Sequence, residues 1–235
     1  MRNRPIPKLS EDQKALIRGF VVYEDAFILA FNKPTGLPVQ TRGNRGTSLD
    51  HLLWAFARSN GKRPNLVHRI DAGTSGLVIA AKTKPATAFL NTEFAERRVR
   101  KTYLALVAGT LPEADQGRCE TPLLKLGRAV QPGTIADGAD AAITDWRVVM
   151  RSQTHAVIEA RPVTGRMHQI RAHLASLGCP ILGDPIYGAE EKTAPRLMLH
   201  AAALEIKLPD QTLLTLKAPL PDDFVQQQAQ LGVSA

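Results

Sequence analysis

The chain has 235 residues, enough for one large domain or two small ones with a substantial buried core. Its 30 lysines and arginines exceed its 22 aspartates and glutamates, giving a net charge of +8. This surplus favours an anionic partner, most commonly nucleic acid, although many soluble proteins are also basic.

The two cysteines form no Cys-x-x-Cys pair, so neither a disulfide framework nor a zinc site is expected. The N-terminus lacks the apolar segment of a secretory signal, and no apolar run approaches the roughly 20 residues of a membrane span. We therefore expect a cytoplasmic protein.

The first third of the chain predicts a short lead-in followed by strands and a helix. Residues 1–18 are basic and contain prolines, so a loose lead-in is expected before one domain over residues 19–235. Residues 20–23 and 27–31 predict two short strands. A stiff loop follows at residues 32–38, where prolines fix the backbone direction. Thr47 or Ser48 is placed to cap a helix that runs to about Ser59.

Residues 68–82, HRIDAGTSGLVIAAK, contain an acidic residue in a glycine-rich turn directly before an apolar run. Residues 77–81 predict a buried strand, so Asp71 is expected on a loop that the core sheet makes rigid. Arg69 lies two residues away. Because such loops often carry catalytic groups, Asp71 is a candidate catalytic residue. Without further information, the residues alone show only a strand preceded by a charged turn.

The remaining elements alternate irregularly between helix and strand. A helix is predicted at 84–98, and strands at 102–109, 142–150, 156–160, 197–208 and 213–216. Residues 110–140 predict short strands and turns, a helix runs from Arg166 to a C-capping Gly178, and a terminal helix covers 221–230. This order favours an α+β (mixed α/β) fold with a mostly antiparallel sheet.

Two basic clusters are candidates for contact with phosphate groups. Arg97, Arg98 and Lys101 lie at the C-terminal end of the helix predicted at 84–98, where a solvated helix end is the alternative explanation. Arg166 and His168 lie at the start of the next helix, and a helix N-terminus with basic side chains suits an anion.

The helix that begins near Arg166 also carries an arginine on its apolar side. Arg171 lies beside apolar positions of the helix and needs a carboxylate partner, for which Asp71 is a candidate. His168 and His173 are five residues apart, a spacing that does not suit two metal ligands on one helix face. Tyr103 is either a core residue of its strand or an aromatic ring that stacks on a base.

Taken together, these segments resemble the RluA-type pseudouridine synthases. Residues 68–77 match the family motif His-Arg-Leu-Asp-x-x-Thr-Ser-Gly-Leu except for Ile70 in place of leucine. Segments 32–37 and 101–107 resemble the family's first motif and its tyrosine motif, and segment 164–171 resembles its third, with Met167 where Thr or Ser is usual. Segments 183–188 and 199–201 match the closing motifs. Several motifs in the family's order are a specific signature.

The resemblance implies a pseudouridine-synthase catalytic domain, with a long, mostly antiparallel sheet and flanking helices around a central cleft. It implies isomerisation of uridine to pseudouridine in RNA, without a cofactor, with Asp71 as the nucleophile. Tyr103 would pack on the flipped base, and Arg171 would pair with Asp71. Ile170 would support the base, and Arg69 would contact or replace the extruded nucleotide. About twenty residues precede the first strand, too few for the S4-type module that many relatives carry, so the catalytic domain itself is expected to bind RNA.

Large-subunit ribosomal RNA, transfer RNA or both are the expected substrates, and a monomer is the expected state. Two other hypotheses remain at this point. A non-catalytic RNA-binding protein would keep the basic surface without needing Asp71. A hydrolase of free nucleosides would use a lone carboxylate and would need no surface for a polyanion.

Overall fold

A computed structural model describes residues 7–41, 47–188 and 194–233 of the chain. The chain forms two compact units, of which the first comprises Met1–Val99 and Leu204–Ala218 and the second Arg100–Ala203 and Pro219–Ala235. Both units contain helices and strands, and the strand pairs with an assigned register are antiparallel. The predicted mixed α/β class, built on a large and mostly antiparallel sheet with flanking helices, is confirmed.

The described residues contain five α-helices and twelve β-strands. The helices are α1 (Glu11–Gly19), α2 (Leu49–Leu52), α3 (Lys84–Ala95), α4 (Gln169–Ser176) and α5 (Asp222–Gln230). The strands are β1 (Val21–Glu24), β2 (Ile28–Lys33), β3 (Asn65–Leu66), β4 (Ser75–Ala81), β5 (Arg100–Ala108), β6 (Gln116–Cys119), β7 (Leu123–Leu126), β8 (Ala129–Pro132), β9 (Thr144–Arg151), β10 (His155–Pro162), β11 (Leu199–Lys207) and β12 (Leu213–Lys217).

In the first unit, hydrogen bonds connect the strands in the order β1-β2-β4-β11, with β3 also paired to β4 and β12 to β11. Strand β4 is buried along its whole length. Its residues alternate between two apolar clusters, because Leu77 and Ile79 enter one cluster and Val78 and Ala80 enter the other. Both faces of β4 are therefore covered, which explains why the sequence shows an unbroken apolar run instead of alternating apolar and polar residues.

In the second unit the strand order is β5-β10-β9-β6, and β7 and β8 form a separate hairpin. Helix α4 packs against β9 and β10. Its residues Ile170 and Leu174 join Ile158 of β10 in the main apolar cluster of this unit. The core sheet therefore fixes the position of α4 and of the side chains that α4 carries.

The expected loose lead-in at residues 1–18 is wrong for the part that forms α1. Ser10 caps this helix, because its hydroxyl accepts a hydrogen bond from the Gln13 amide and the Gln13 side chain accepts one from the Ser10 amide. This reciprocal pair is a capping box. Ile17 anchors the helix and is fully buried. Residues 1–6 of the expected lead-in lie outside the described residues.

The other predicted helices are present but shorter than expected. Ser48 caps α2 as predicted, but the α-helix ends at Leu52 and continues as a 3₁₀ segment, Leu53–Phe56, before the chain becomes extended at Ala57. Helix α3 ends at Ala95, and α4 begins at Gln169 instead of Arg166. Gly178 has the left-handed backbone, with φ of 81°, that its predicted role at the helix C-terminus requires.

Substitution of Gly183 tests how tightly the loops of the second unit are packed. Gly183 has a φ of 67°, and a Cβ there collides with the carbonyl oxygen of Arg196. Gly138 has a φ of 82° with open space around it. We expect Gly183→Ala to lower the free energy of unfolding by about 2–4 kcal/mol, from left-handed strain plus the collision. Gly138→Ala introduces only the left-handed strain, and we expect it to lower the free energy of unfolding by about 1–2 kcal/mol. Urea unfolding of both variants measures the difference, and equal losses would contradict this packing.

Candidate active site

Asp71 lies in the turn that leads into β4. The side chain is partly buried, and the Asp71 carbonyl accepts a hydrogen bond from the Thr74 amide at 3.1 Å, which closes the turn. Thr74 and Ser75 are buried directly after it. The predicted position of Asp71, on a short loop fixed by a core strand, is confirmed.

The loop that follows β2 binds the backbone of the Asp71 turn. Lys33 of β2 pairs with Gly76 of β4, so the two loops leave the sheet at the same end. The Lys33 ammonium donates to the carbonyl of Ala72 at 3.1 Å, and the Gly36 amide donates to the same carbonyl at 2.8 Å. The Thr35 hydroxyl donates to the carbonyl of Gly73 at 2.8 Å. Three donors of the first motif therefore hold the two residues after Asp71.

The residues before Asp71 are fixed by their side chains. The Nε2 atom of His68 accepts a hydrogen bond from the Ile79 amide at 3.0 Å, and its ring stacks on Phe94 with centroids 4.7 Å apart. Ile70 packs against the apolar cluster on one face of β4. Arg69, between these two anchored residues, is exposed to solvent. Because the neighbouring side chains of His68 and Ile70 pack within the first unit, the Arg69 side chain between them is directed to solvent.

In the second unit, a buried polar network fixes the start of α4. The Gln169 side-chain oxygen accepts hydrogen bonds from the Thr164 hydroxyl at 2.6 Å and the Arg166 amide at 3.0 Å. Its amide nitrogen donates to the Ile143 carbonyl at 2.8 Å and to the Thr144 hydroxyl at 2.9 Å. All four contacts of one buried amide are used, which rigidifies the first turn of the helix.

Arg171 is 4% exposed and forms a two-point ion pair with Asp184. Its Nε and Nη2 atoms each donate to an Asp184 oxygen at 2.7 Å. The guanidinium carbon also lies 5.2 Å from the ring centroid of Tyr187. The predicted need of Arg171 for a carboxylate is confirmed, and Asp184 supplies one. Its pairing with Asp71 stays a prediction.

The Asp184 carboxyl is held in its ionised form. Burial raises its pKa, but hydrogen bonds from Arg171 and from the amides of Ile186 and Tyr187 outweigh burial and bring the pKa below its ordinary value. The two amides donate at 2.9 Å and 3.2 Å to the same oxygen. A permanent negative charge therefore faces the Arg171 guanidinium.

Tyr103 and Ile170 belong to the same unit as Arg171. Tyr103 is partly buried on β5 opposite Ala160 of β10, and it packs against the main apolar cluster. Ile170 is 6% exposed and lies within that cluster. Both positions fit core residues, and their expected contacts with a base stay predictions.

The basic residues proposed to contact RNA differ in their surroundings. Arg98 pairs with the carboxylates of Glu93 and Glu96, which neutralise its charge locally. Arg166 donates to the Ala141 carbonyl and lies 3.3 Å from Asp140. These contacts weaken the case for Arg98 and Arg166 as phosphate ligands.

The other three basic residues have different environments. Arg97 is exposed and has a left-handed backbone with φ of 57°. Lys101 is partly buried on β5. His168 is partly buried, also with a left-handed backbone, and its Nδ1 atom lies 3.1 Å from the Tyr187 hydroxyl. A role of these residues in RNA binding stays a prediction.

The predicted site residues fall into two groups. Asp71 and Arg69 lie in the first unit, together with the Lys33 and Thr35 side chains that fix the Asp71 turn. Tyr103, Ile170 and Arg171 lie in the second unit. Lys33, Asp184 and Tyr187 had no predicted role, although all three lie within motif segments, 32–37 and 183–188, that the sequence already singled out.

Neither a metal centre nor a membrane span is found in the described ranges. No group of three or more His, Cys, Asp or Glu side chains in residues 7–41, 47–188 and 194–233 is arranged to hold a metal ion. None of the helices in that part of the chain combines the length and apolar character that a bilayer crossing requires.

The chain is similar in sequence and in fold to known RNA pseudouridine synthases. A family model described as RNA pseudouridylate synthase matches residues 28–176. An uncharacterized RNA pseudouridine synthase of Zymomonas mobilis is 35% identical over 208 residues, covering 87% of this chain and 94% of its own length. Ribosomal large subunit pseudouridine synthase D of Pseudomonas aeruginosa is 33% identical over 223 residues, covering 87% of this chain and 69% of its own. The solved structure of human RNA pseudouridylate synthase domain containing 4 has a TM-score of 0.80 at 25% identity, covering 95% and 98% of the two chains.

The Arg171–Asp184 pair predicts a specific pH dependence of stability. Because folding lowers the Asp184 pKa, the stabilisation is present above the ordinary aspartate value of about 3.9 and is lost as the pH falls through the lower folded-state value. Asp184→Asn leaves a buried, uncompensated guanidinium and is expected to cost about 3–5 kcal/mol at pH 7. In urea unfolding from pH 7 to pH 3, the gap between wild type and variant should narrow below about pH 4. A gap that stays constant over this range would contradict the assignment.

Proposed function

Since the chain belongs to the RNA pseudouridine synthase family, whose members are isomerases, we propose that it converts uridine to pseudouridine in large-subunit ribosomal RNA. The Pseudomonas aeruginosa relative, whose name refers to the ribosomal large subunit, supports this choice of substrate. The observation that carries the proposal is the Asp71 turn, which three donors of the preceding motif hold by its backbone. Transfer RNA is the alternative substrate.

The reaction breaks the bond between C1′ of the ribose and N1 of uracil, and rejoins C1′ to C5 of the same base. The C5 proton is lost and N1 gains one, so atoms balance without an oxidant or reductant. Asp71 acts as the nucleophile, adding to the base or capturing the sugar, and both routes need an ionised carboxylate. A backbone-fixed turn suits this task, because it sets where the carboxylate begins before RNA arrives.

The supporting roles follow from the family resemblance. Arg171 would pair with Asp71, which would favour the ionised carboxylate and orient its oxygens. Tyr103 would stack on the flipped uracil, and Ile170 would lie near it as an apolar support. Arg69 would contact or replace the extruded nucleotide, which its exposed position supports. Flipping the base costs about a few kcal/mol, less in RNA loops.

Phosphate contacts would offset this cost. The net charge of +8 and the exposed position of Arg97 support binding to the RNA backbone. Lys101 and His168 are further candidates, whereas Arg98 and Arg166 already pair with carboxylates. The proposed enzyme is a cytoplasmic monomer that needs no redox cofactor, because the isomerisation involves no net oxidation or reduction. No metal ion is part of the proposal.

The decisive substitution is Asp71→Asn, which removes the nucleophilic charge and keeps the side-chain shape. We expect pseudouridine formation in large-subunit ribosomal RNA to fall by about 10⁴-fold or more, while the Kd for RNA changes little. Purified protein is incubated with the RNA, and pseudouridine is mapped by carbodiimide-blocked primer extension. Asp12→Asn, in the exposed first turn of α1, is the matched control and should keep wild-type activity.

The same assay separates the other hypotheses. A non-catalytic RNA-binding protein would bind the RNA without forming pseudouridine in the wild type. A nucleoside hydrolase would release free uracil, and its activity would survive high salt. A parallel reaction with transfer RNA shows whether that substrate is modified as well.

We expect the neighbouring residues Arg97 and Arg98 to contribute differently to the salt dependence of RNA binding. Arg97→Gln should reduce the slope of log K against log salt concentration by about 0.7–0.9, the value for one lost phosphate contact. Arg98→Gln should leave the slope unchanged, because Glu93 and Glu96 already neutralise Arg98. Filter binding between 50 and 200 mM salt, roughly the range over which such contacts are resolved, measures both slopes. Equal slopes for the two variants would contradict the assignment.

A further inference from the structure

The Tyr187 side chain joins three parts of the second unit. Its hydroxyl accepts a hydrogen bond from the Val130 amide of β8 at 2.8 Å. The same oxygen lies 3.1 Å from Nδ1 of His168, the residue that precedes α4. Its ring lies under the Arg171 guanidinium, 5.2 Å from centroid to carbon. One side chain therefore connects the β7–β8 hairpin, the start of α4 and the buried arginine.

The Tyr187 hydroxyl suits this position because it can donate and accept at once. Its oxygen accepts a hydrogen bond from the Val130 amide, and its O–H can donate one to Nδ1 of His168 when that nitrogen carries no proton. His168 adopts the left-handed backbone, with φ of 52°, which is costly for a residue other than glycine. His168 and Arg171 are three residues apart at the start of α4, so what fixes one affects the position of the other.

Asp184 constrains the other side of the same guanidinium. The two parallel hydrogen bonds at 2.7 Å fix both the distance and the plane of the Arg171 fork. The carboxylate is itself oriented by the amides of Ile186 and Tyr187. Asp184 binds one edge of Arg171, and the Tyr187 ring lies against its face.

We propose that Asp184 and Tyr187 are positioning residues for the reaction, acting through Arg171. Asp184 sets the direction of the Arg171 guanidinium. The Tyr187 hydroxyl holds the tyrosine ring and the first turn of α4 in fixed positions relative to that guanidinium. Neither residue needs to touch the substrate for this role. The inference rests on the proposed function, in which Arg171 orients the nucleophile.

The chain offers a matched control for each residue. Tyr23 is another tyrosine with a hydrogen-bonded hydroxyl, which contacts Asp25 at 3.1 Å in the first unit. Tyr23→Phe therefore removes the same atom as Tyr187→Phe. Asp223 forms a two-point pair with Arg196, with both distances 2.6 Å, in the second unit. Asp223→Asn therefore breaks an ion pair of the same two-point geometry as Asp184→Asn, although the Asp223 carboxylate is more exposed.

The test measures single-turnover pseudouridine formation at saturating enzyme, together with the Kd for RNA. All variants are assayed at one temperature, chosen well below the lowest Tm of the set, so that every protein is folded and the rates are directly comparable. We expect Asp184→Asn to lower the rate by about 100-fold and Tyr187→Phe by about 10-fold, because small misplacements of a catalytic group are costly. The Kd should change less than about threefold, since Asp184 and Tyr187 act on geometry and not on RNA affinity. Both control variants should keep rates within about threefold of wild type.

The outcomes separate this inference from the proposed function. Wild-type rates in both Tyr187→Phe and Asp184→Asn would overturn the positioning role while leaving pseudouridine formation intact. An equal loss of rate in Asp223→Asn would also overturn it, because the effect would then be general destabilisation. A wild-type protein that forms no pseudouridine would overturn the proposed function itself. If Asp184→Asn fails to fold, the Tyr187→Phe and Tyr23→Phe pair decides the question.

Discussion

The backbone of the Asp71 turn is fixed by hydrogen bonds from the loop that follows β2. Lys33, at the end of β2, takes part in this constraint, because its ammonium is completely buried and donates to the carbonyls of Pro34 and Ala72. A buried ammonium is costly unless its donors are satisfied, so the position of these carbonyls and the stability of the first unit depend on each other. Main-chain geometry therefore sets the position from which the Asp71 side chain extends, before any partner of the side chain is considered.

The second unit fixes its arginine by a different physical device. The arginine guanidinium is separated from the backbone by several rotatable bonds, so fixing the backbone does not fix the charged group. In Arg171 a second charged group holds the guanidinium in place. Asp184 supplies that charge from a tight loop, and burial strengthens the interaction between the two groups. Main-chain anchoring of the Asp71 turn and the buried ion pair of Arg171 both restrict the motion of groups that we propose for the reaction, so less motion would have to be lost when substrate binds.

Much of this arrangement could be predicted from the sequence, and the failures have specific causes. The buried run before Ala81 and the glycine-rich turn were sufficient to place Asp71. The capping box of Ser10 and Gln13 was also visible, but the prolines and basic residues around it favoured a loop. The helix expected to reach Ser59 was overextended, because the spacing of apolar residues hardly distinguishes an α-helix from a 3₁₀ turn. Asp184 was missed as the partner of Arg171, since their contact depends on how the chain reverses after α4, which periodicity does not encode.

The account is tested most directly by deleting the gene and mapping pseudouridines across total RNA by carbodiimide-blocked primer extension. It predicts that one or more stops in large-subunit ribosomal RNA disappear in the deletion strain and return with the wild-type gene. A complete set of pseudouridines in the deletion strain would contradict it, because no uridine would then depend on this protein.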